Sequence, residues 1–497
     1  MTTMIPNGWQ ATTVGEVFPT VGGGTPSTRV AEFWAGTVPW VTSADLREDG
    51  SIAPRKQITE SAIAASATNL VPAGSVVVAT RVGLGKVALA QVPLCFSQDC
   101  TALLTDGDDF HPEFVRLQMQ RTAAAFRGRG TTINGITKKQ LLDTGFLVAP
   151  LPEQRRIVEA IESYFTRLDD AVATLERVQR NLKRYRASVL KAAVEGRLVP
   201  TEAELARAEG RDYEPASALL KRILAERRRR WETSVRRGKY QEPVAPDPSG
   251  LPDLPEGWCW TTVDQLTDGA RSCGYGVLVP GPDVPDGVPL VRVGDINDGQ
   301  VAGDGLKRIS RDVADQFERT FLRGGEVLIT LVGTIGRTAV AGSALAGANV
   351  ARAVGVIPST HLVDARWIEH WLRSPRARAH MEGKAHEVAR KTLNLEDVRA
   401  APVALPPTAE QAQILARAAT LASLVEAAAS SVETCLLRSA RLRQSILKWA
   451  FEGKLADQDP HDEPASVLLA RIKAQRDAAE TSTKKHGRPG RQARKTA

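Results

Sequence analysis

The segment VGLGKVA at residues 82–88 resembles a phosphate-binding loop and raises the question of nucleotide chemistry. A P-loop needs glycine at its first position and Ser or Thr after its lysine, whereas this chain has Thr80 and Val87 there. A related segment, GTIGRTA at 333–339, has Arg337 where the lysine would stand. Both segments are better explained as a strand, a glycine-containing turn and a second strand.

Other enzyme signatures are missing from the sequence. It contains no H-E-x-x-H, no G-x-S-x-G and no Asn/Asp-Pro-Pro-Tyr tetrapeptide of an amino-methyltransferase. The triplet EGK at 382–384 and 452–454 lacks the upstream Pro-Asp of a nuclease. Seven histidines and five cysteines show no metal-ligand spacing, which favours free thiols over a structural metal. We therefore expect no bond chemistry and no cofactor in this chain.

Side chains suited to binding are better represented. Arg, Lys, Asn and Thr on exposed loops are the residue types that contact phosphates and base edges. Any one of them is more often a solvated surface residue, but here they recur as a duplicated set on a basic chain. The candidates for DNA contact are Arg47, Thr80, Arg81, Lys86, Arg127, Arg129, Thr131, Arg292, Asn297, Thr334, Arg337, Arg390 and Lys391.

The net charge of +8 is concentrated in two places. Residues 221–239 carry nine Lys/Arg against two Glu, and residues 484–497 carry six Lys/Arg and no acid. A solvated helix face followed by an unstructured tail is one explanation, and a polyanionic partner is the other. The sequence shows no leader segment and no stretch of about 18 apolar residues, so we expect a cytoplasmic protein.

The elements that must position the candidate side chains come from a tandem repeat. SVLKAAVEGRL at 188–198 returns as SILKWAFEGKL at 445–455, and EPASALLKRI at 214–223 returns as EPASVLLARI at 463–472. IPNGWQATTV at 5–14 likewise returns as LPEGWCWTTV at 254–263. The offset stays between 249 and 260 residues, so one unit of about 250 residues is duplicated.

Each copy contains two kinds of sequence. Short Val/Ile-rich runs between Gly and Pro, with helices predicted at 111–126 and 364–381, indicate a mixed α/β domain. From Glu153 to about Glu195 the chain then lacks Gly and Pro and places apolar residues at heptad spacing, and the second copy repeats this pattern. We predict two recognition domains of α/β class joined by two long antiparallel, coiled-coil-like helices, with an internal pseudo-twofold repeat. Gly196 and Gly453 are predicted to end the helices.

These features resemble the specificity subunits of type I restriction–modification enzymes. The resemblance rests on GGGTPSTRVAEFWAGTVPWVTSADL at 22–46, PLPEQRRIVEAIE at 150–162, PPTAEQAQILARA at 406–418 and SILKWAFEGKL. It implies target-recognition domains at 1–150 and 249–405, which would read the two halves of a bipartite, asymmetric DNA site. It also implies helical spacers at 151–248 and 406–497.

The same resemblance implies partners. Two modification (methyltransferase) subunits would dock on the helices, and restriction subunits would join outside them. S-adenosylmethionine, ATP and Mg would be bound by those partners, and this chain would hold no cofactor. The residues of the family's helix motifs, expected in the spacer or its docking surface, are Glu153, Gln154, Leu190, Gly196, Glu410, Gln411, Leu447, Phe451 and Gly453.

The two copies also differ, and other functions remain open. The second copy has GARSCGYGVLVPGPDVPDG at 269–287 in place of GGTPS, so the two domains should read different sequences. Val194 stands where Phe451 keeps the family's aromatic residue, and 199–213 is about eight residues longer than its counterpart. A self-contained restriction–modification enzyme and a structural coiled-coil scaffold are the alternatives.

Overall fold

The computed structural model describes residues 5–105, 108–123, 135–234, 238–297, 299–384, 386–387 and 391–486. The chain forms two packing units. One contains Met1–Glu176 with Glu433–Ala497, and the other contains Arg177–Val432. Each unit therefore combines one α/β domain with half of each long helix, whereas the domain boundaries expected from sequence follow chain order.

The α/β domain of the first unit contains three sheets. Strand β1 pairs antiparallel with β9, an antiparallel four-stranded sheet has the order β2–β8–β5–β6, and a three-stranded sheet has the order β4–β3–β7 with β3 parallel to β7. The strands are β1 Gln10–Thr13, β2 Thr20–Gly22, β3 Val38–Val41, β4 Lys56–Ile58, β5 Val76–Ala79, β6 Val87–Leu89, β7 Cys95–Phe96, β8 Cys100–Leu103 and β9 Gly145–Val148. The helices are α1 Val14–Val17, α2 Glu60–Ala64, α3 Pro112–Ala123 and α4 Lys138–Leu142. Every residue of β5 and β8 is buried, which explains the unbroken apolar sequence of β5.

The second unit repeats this arrangement. Its sheets have the orders β10–β22, β11–β19–β16–β17 and β15–β12–β18, with two added hairpins, β13–β14 and β20–β21. Its strands are β10 Cys259–Thr262, β11 Gly274–Tyr275, β12 Val288–Val291, β13 Ile296–Asn297, β14 Gln300–Val301, β15 Lys307–Ile309, β16 Val327–Thr330, β17 Thr338–Val340, β18 Asn349–Val350, β19 Val354–Ile357, β20 His386–Glu387, β21 Lys391–Thr392 and β22 Pro402–Leu405. Its helices are α8 Arg311–Asp315, α9 Ala365–Arg373, α10 Pro375–Lys384 and α11 Leu395–Ala400. The matching strand orders confirm the tandem repeat.

One predicted helix divides in two. The segment 364–381 was expected to be continuous, but α9 ends at Arg373 and α10 begins at Pro375. Proline lacks the amide hydrogen that an interior helix position donates, and it disfavours helical geometry in the residue before it. Ser374 accordingly has extended backbone at the break.

The structure contains two long helices, α5 (Leu151–Val194, 44 residues) and α12 (Thr408–Ala450, 43 residues). They confirm the long helix predicted from the heptad spacing in each copy. At 1.5 Å per residue each is about 65 Å long. In the first unit, Glu153 accepts a hydrogen bond from Gln458 at 3.3 Å and Asp169 pairs with Arg443. In the second unit, Arg186 pairs with Glu426 at 3.8 Å and Glu410 accepts from the Glu202 amide at 3.0 Å. Partner numbers fall as residue numbers rise, so the helices pair antiparallel in each unit.

The predicted apolar seam of the long helices is largely confirmed. Val158, Ile161 and Leu168 of α5 are buried. On α12, Val425 and Val432 are buried, but Ala422 is exposed. The seam is thus interrupted in the second unit.

The composition of α12 bears on the expectation that the chain has no stretch of about 18 apolar residues. Helix α12 contains an 18-residue window with a mean hydropathy of 1.2, long and apolar enough by composition alone to cross a bilayer. Alanine-rich sequence produces this value, and one such helix is weak evidence for a membrane span.

Shorter helices follow each long helix. They are α6 (Glu202–Glu209), α7 (Ala216–Glu232) and α13 (Ala465–His486). The Ala216 amide donates to the carbonyl of Gly257 at 2.8 Å, and the Ala465 amide donates to that of Gly8 at 2.9 Å. Helix α6 lies in the 199–213 stretch, which is about eight residues longer than its counterpart in the second copy.

Candidate nucleic-acid interface

The loop between β5 and β6, Thr80–Lys86, presents two of the predicted DNA contacts. Gly83 and Gly85 have φ of 70° and 88°, a left-handed conformation that lets the chain turn tightly. Arg81 is exposed, and the half-buried Lys86 donates from Nζ to the Ser43 carbonyl at 3.4 Å. The lysine therefore ties the hairpin loop to the segment after β3, which carries Arg47.

Thr80 was predicted to contact DNA, but the structure gives it a different role. Its side chain is buried, and its hydroxyl donates to the Asp99 carbonyl at 3.2 Å. Its own carbonyl accepts from the Ile136 amide at 2.8 Å. Thr80 holds the base of the loop, and its hydroxyl is not presented to a ligand.

The second domain builds the matching loop with the same backbone bonds. The Leu331 carbonyl accepts from the Leu393 amide at 2.9 Å, as Thr80 accepts from Ile136. Thr334 is exposed and Arg337 is half-buried in this loop. In each domain the segment before a short helix, α4 or α11, therefore packs on the base of the hairpin loop. The helices begin after Thr137 and Asn394.

Two buried aspartates shape the turns that follow β3 and β12. Asp45 accepts from the Thr42 amide at 2.7 Å and from Arg55. Burial opposes ionisation, but these hydrogen bonds outweigh it and lower the pKa of Asp45. Asp295 accepts from Arg292 at 3.0 Å through both Nε and Nη2, so this predicted DNA contact already has a carboxylate partner.

The remaining predicted contacts divide between exposed and undescribed positions. Arg47 and Asn297 are exposed. Arg127, Arg129, Thr131 and Arg390 lie outside the described residues, and only the backbone of Lys391 is described, in β21. Their roles stay predictions.

Two concave surfaces near the loops were missed from sequence. In the first domain a pocket of about 440 Å³ is lined by Trp34, Arg55 and Lys56, with the Lys56 ammonium 5.0 Å from the Trp34 ring. In the second domain a cleft of about 610 Å³ beside the hairpin loop is lined by Tyr275 and Arg352 among others. Trp34 is distant in sequence from Arg55 and Lys56, so both surfaces depend on folding and had no local signal.

The basic run at 221–239 was weighed as a site for a polyanion, but two of its arginines have carboxylate partners in the second domain. Arg227 pairs with Asp264 at 3.4 Å and Arg230 pairs with Asp268 at 3.0 Å. Leu219 and Ile223 of the same helix lie in the core of the second domain. These arginines therefore fasten α7 to that domain. The basic tail beyond residue 486 lies outside the described residues.

The Glu-Gln pair at the start of each long helix is buried. Glu410 accepts from the Trp258 indole at 2.9 Å and from the Glu202 amide at 3.0 Å. Gln411 and Gln154 donate at 2.9 Å to the carbonyls of Pro406 and Ala149, two residues before each helix begins. Burial raises the pKa of Glu153 and Glu410. Glu153, Gln154, Glu410 and Gln411 therefore stabilise the spacer, and their burial does not support a docking role.

The other end of each long helix is also internal. Gly196 and Gly453 both have φ of 65°, as predicted for helix-ending glycines. Leu447 and Phe451 are buried, and the Phe451 ring lies 5.3 Å from that of Phe114 in the core of the first unit. Leu190 is half-buried. These residues join the helices to the recognition domains.

Two exposed apolar residues occupy matching positions on the long helices. Tyr185 of α5 is 48% exposed, and Leu442 of α12 is 47% exposed. They stand 257 residues apart, the same interval that separates Gly196 from Gly453. Matching apolar positions on the two copies suit a partner that binds twice in the same way.

Comparison with known sequences gives one family. A family model described as a type I restriction modification DNA specificity domain matches residues 6–178. The specificity subunit of the type I restriction enzyme EcoBI of Escherichia coli is 33% identical over 357 residues, covering 70% of this chain and 68% of the relative. The EcoKI specificity subunit of E. coli K12 is 26% identical over 384 residues, covering 74% and 72%.

Solved structures agree on the fold. A chain from a study of complex assembly and conformational transition of the type I R-M system matches with a TM-score of 0.57 at 20% identity, covering 91% of this chain and 99% of that chain. The HsdS subunit of Thermoanaerobacter tengcongensis matches with a TM-score of 0.51 at 19% identity, covering 90% and 98%.

Proposed function

The chain belongs to the family of type I restriction enzyme specificity subunits, and from this premise we propose that its two domains read the halves of one bipartite, asymmetric DNA site. A specificity subunit is the DNA-recognition component of a methyltransferase and endonuclease complex and is not its catalytic component. The family's members are not membrane proteins. A cytoplasmic location for this chain is part of the proposal.

One observation carries the proposal: the two domains have the same sheet architecture but different side chains on their hairpin loops. The strand orders are the same, and both hairpin loops are fixed by the same backbone bonds. The polar side chains of the loops differ, with exposed Arg81 and half-buried Lys86 in one loop and exposed Thr334 and half-buried Arg337 in the other. A common frame with different side chains can present two different patterns of donors to the major groove.

Docking of two modification subunits is the second part of the proposal. The paired, apolar and exposed positions Tyr185 and Leu442 support it, because one partner surface could bind each of them. Restriction subunits would join outside this core. S-adenosylmethionine, ATP and Mg would be bound by the partners, and this chain would bind none of them.

The experiment is to purify the chain alone and together with its modification subunits. We expect the chain alone to bind duplex DNA weakly with a steep salt dependence, and to bind no S-adenosylmethionine. The complex should transfer labelled methyl groups to DNA containing a defined bipartite sequence. Binding of S-adenosylmethionine by the chain alone would instead support a self-contained enzyme. A chain that forms no complex with a modification subunit would contradict the proposal.

A further inference from the structure

A basic cleft in the second unit has no role in the proposed function. It has a volume of about 1020 Å³ and lies between α5, α12, the β13–β14 hairpin and the α9–α10 pair. Its lining includes Lys183, Arg186, Asn297, Gln300, Arg373 and Arg378. Four of these side chains are cationic, and the other two carry amide groups that can hydrogen-bond to a phosphate or a sugar.

Carboxylates offset only part of this charge. Glu426 lines the cleft and lies 3.8 Å from Arg186, in a pair whose side chains are both more than half exposed. The buried Glu369 lies 3.5 Å from Arg373. An exposed ion pair at that distance contributes little free energy, so an anion that binds Arg186 more strongly can replace Glu426 as its partner. Lys183 has no ion pair within the part of the chain that the structure describes, and Arg186 is only weakly paired, so α5 presents two cations to the cleft, which suits an anionic ligand.

The first unit does not repeat this cleft in its helices. At the interval of 257 residues, Ala440 matches Lys183 and Phe165 matches Ala422. In the first unit the Arg443 guanidinium lies 4.3 Å from the Phe165 ring and pairs with Asp169. In the second unit the small Ala422 lines the open cleft. The second unit thus has both the space and the lysine that the first unit lacks.

The cleft adjoins the proposed recognition surface of its own domain. Asn297, in the β13–β14 hairpin, is both a predicted DNA contact and part of the lining. A Cβ atom added at Gly336 would lie 3.9 Å from Cγ of Arg378, which places this arginine beside the loop that carries Arg337. A DNA strand contacting that loop would therefore pass close to the mouth of the cleft.

We propose that this cleft binds the phosphate backbone of duplex DNA, so that the second unit holds its half-site through a contact that the described long-helix residues of the first unit do not repeat. The proposal rests on the proposed function. Phosphate contacts fix position and add affinity without reading sequence. The ligand class follows from the positive lining, the amide groups and the adjoining recognition loop.

The test compares two variants of the complete complex with modification subunits. Lys183→Gln with Arg186→Gln removes two charges from the cleft. Arg177→Gln with Arg184→Gln removes two charges from exposed positions of the same helix that do not line the cleft. The measurement is the slope of log K against log salt for binding to a DNA duplex. Removing one phosphate contact should reduce the slope by about 0.9, so the slope should fall by about 2 in the cleft variant and by well under 1 in the control.

A second variant leaves the charge unchanged. Ala422→Phe places in the cleft the side chain that the first unit has at Phe165, and it should also reduce the slope and weaken binding equally for all sequences. An unchanged slope in the cleft variants, or equal reductions in the variant and the control, would overturn the proposal. Loss of a modification subunit with an unchanged DNA slope would also overturn it and assign the cleft to an acidic protein segment. In either case a wild-type complex that still methylates its bipartite site would leave the proposed function intact.

Discussion

The glycines that end the long helices act at the scale of single residues. Both adopt φ of 65°, and the following amides close the helix by donating back to Ala192 and Trp449 at 2.9 Å. A Cβ atom at Gly196 would lie 2.5 Å from the Pro255 ring, and one at Gly453 would lie 2.6 Å from the Pro6 ring. Each position thus requires glycine for two reasons: the left-handed backbone conformation and the close approach of a proline ring.

Substitution of these glycines tests both requirements. Gly196→Ala and Gly453→Ala should each lower the free energy of unfolding by about 2–4 kcal/mol, measured by urea denaturation of the full chain. Gly210→Ala is the matched control, because Gly210 also has φ of 65° but open space around its Cα. It should cost only about 1 kcal/mol. Equal destabilisation at all three positions would show that the neighbouring prolines are unimportant.

A buried carboxylate gives a pH-dependent prediction. Glu326 accepts from Arg271 at 2.5 Å and from the Arg323 and Gly324 amides at 2.8 and 3.0 Å. Burial opposes ionisation, but these hydrogen bonds outweigh it and lower the pKa of Glu326. A lowered folded-state pKa contributes stability above the unfolded-state pKa, and this contribution is lost as pH falls through the folded-state pKa.

Glu326→Gln should therefore destabilise the second unit most at neutral pH. The difference in unfolding free energy between wild type and variant should shrink as the pH is lowered below about 4.5, the region of the ordinary glutamate pKa. Denaturant titrations at several pH values measure this difference. A difference independent of pH would mean that the ionised form of Glu326 is not what stabilises the fold.

At the scale of elements, the long helices are anchored at their ends and keep two matching apolar positions exposed. Their ends are buried in the two domains, whereas Tyr185 and Leu442 stay exposed at matching positions. Helices with an apolar, solvent-facing position repeated once per copy are suited to two identical partners.

Charge at these positions should remove the partners one at a time. Tyr185→Glu and Leu442→Glu should each reduce the modification subunits bound from two to one, and the double variant should bind none, as counted by native mass spectrometry. Tyr164→Glu is the control. Tyr164 is 45% exposed, but its counterpart in the second copy, Leu421, is half-buried, so this exposed apolar position is not repeated. It should leave two subunits bound. Full occupancy in the double variant would place the docking surface elsewhere.

At the scale of the whole molecule, the sequence predicted the duplication, the α/β class, the antiparallel long helices and the glycines at their ends. These features depend on local patterns repeated 257 residues apart. The burial of Glu153 and Glu410 was not predictable, because it comes from segments that follow the other copy's helix, as in the bond from the Glu202 amide to Glu410. The internal pairing of Arg227 and Arg230 was missed for the same reason, since Asp264 and Asp268 are distant in sequence.

The division of recognition between the domains yields a further prediction. Arg81→Ala with Lys86→Ala should relax or weaken discrimination at one half-site, by about 1–3 kcal/mol for each base that the removed side chains read, and leave the other half intact. Arg337→Ala should affect the other half. Competition binding of the complex with duplexes altered in either half measures both effects. Equal weakening at the two halves would contradict the assignment of one half-site to each domain.

The central claim is that this chain alone sets which bipartite sequence the complex modifies. Single-molecule sequencing of DNA from cells that carry the modification subunits, with and without this chain, tests it most directly. We predict one asymmetric motif of two half-sites at fixed spacing, methylated only when the chain is present. A methylation pattern that does not depend on the chain, or a single continuous motif, would contradict the claim.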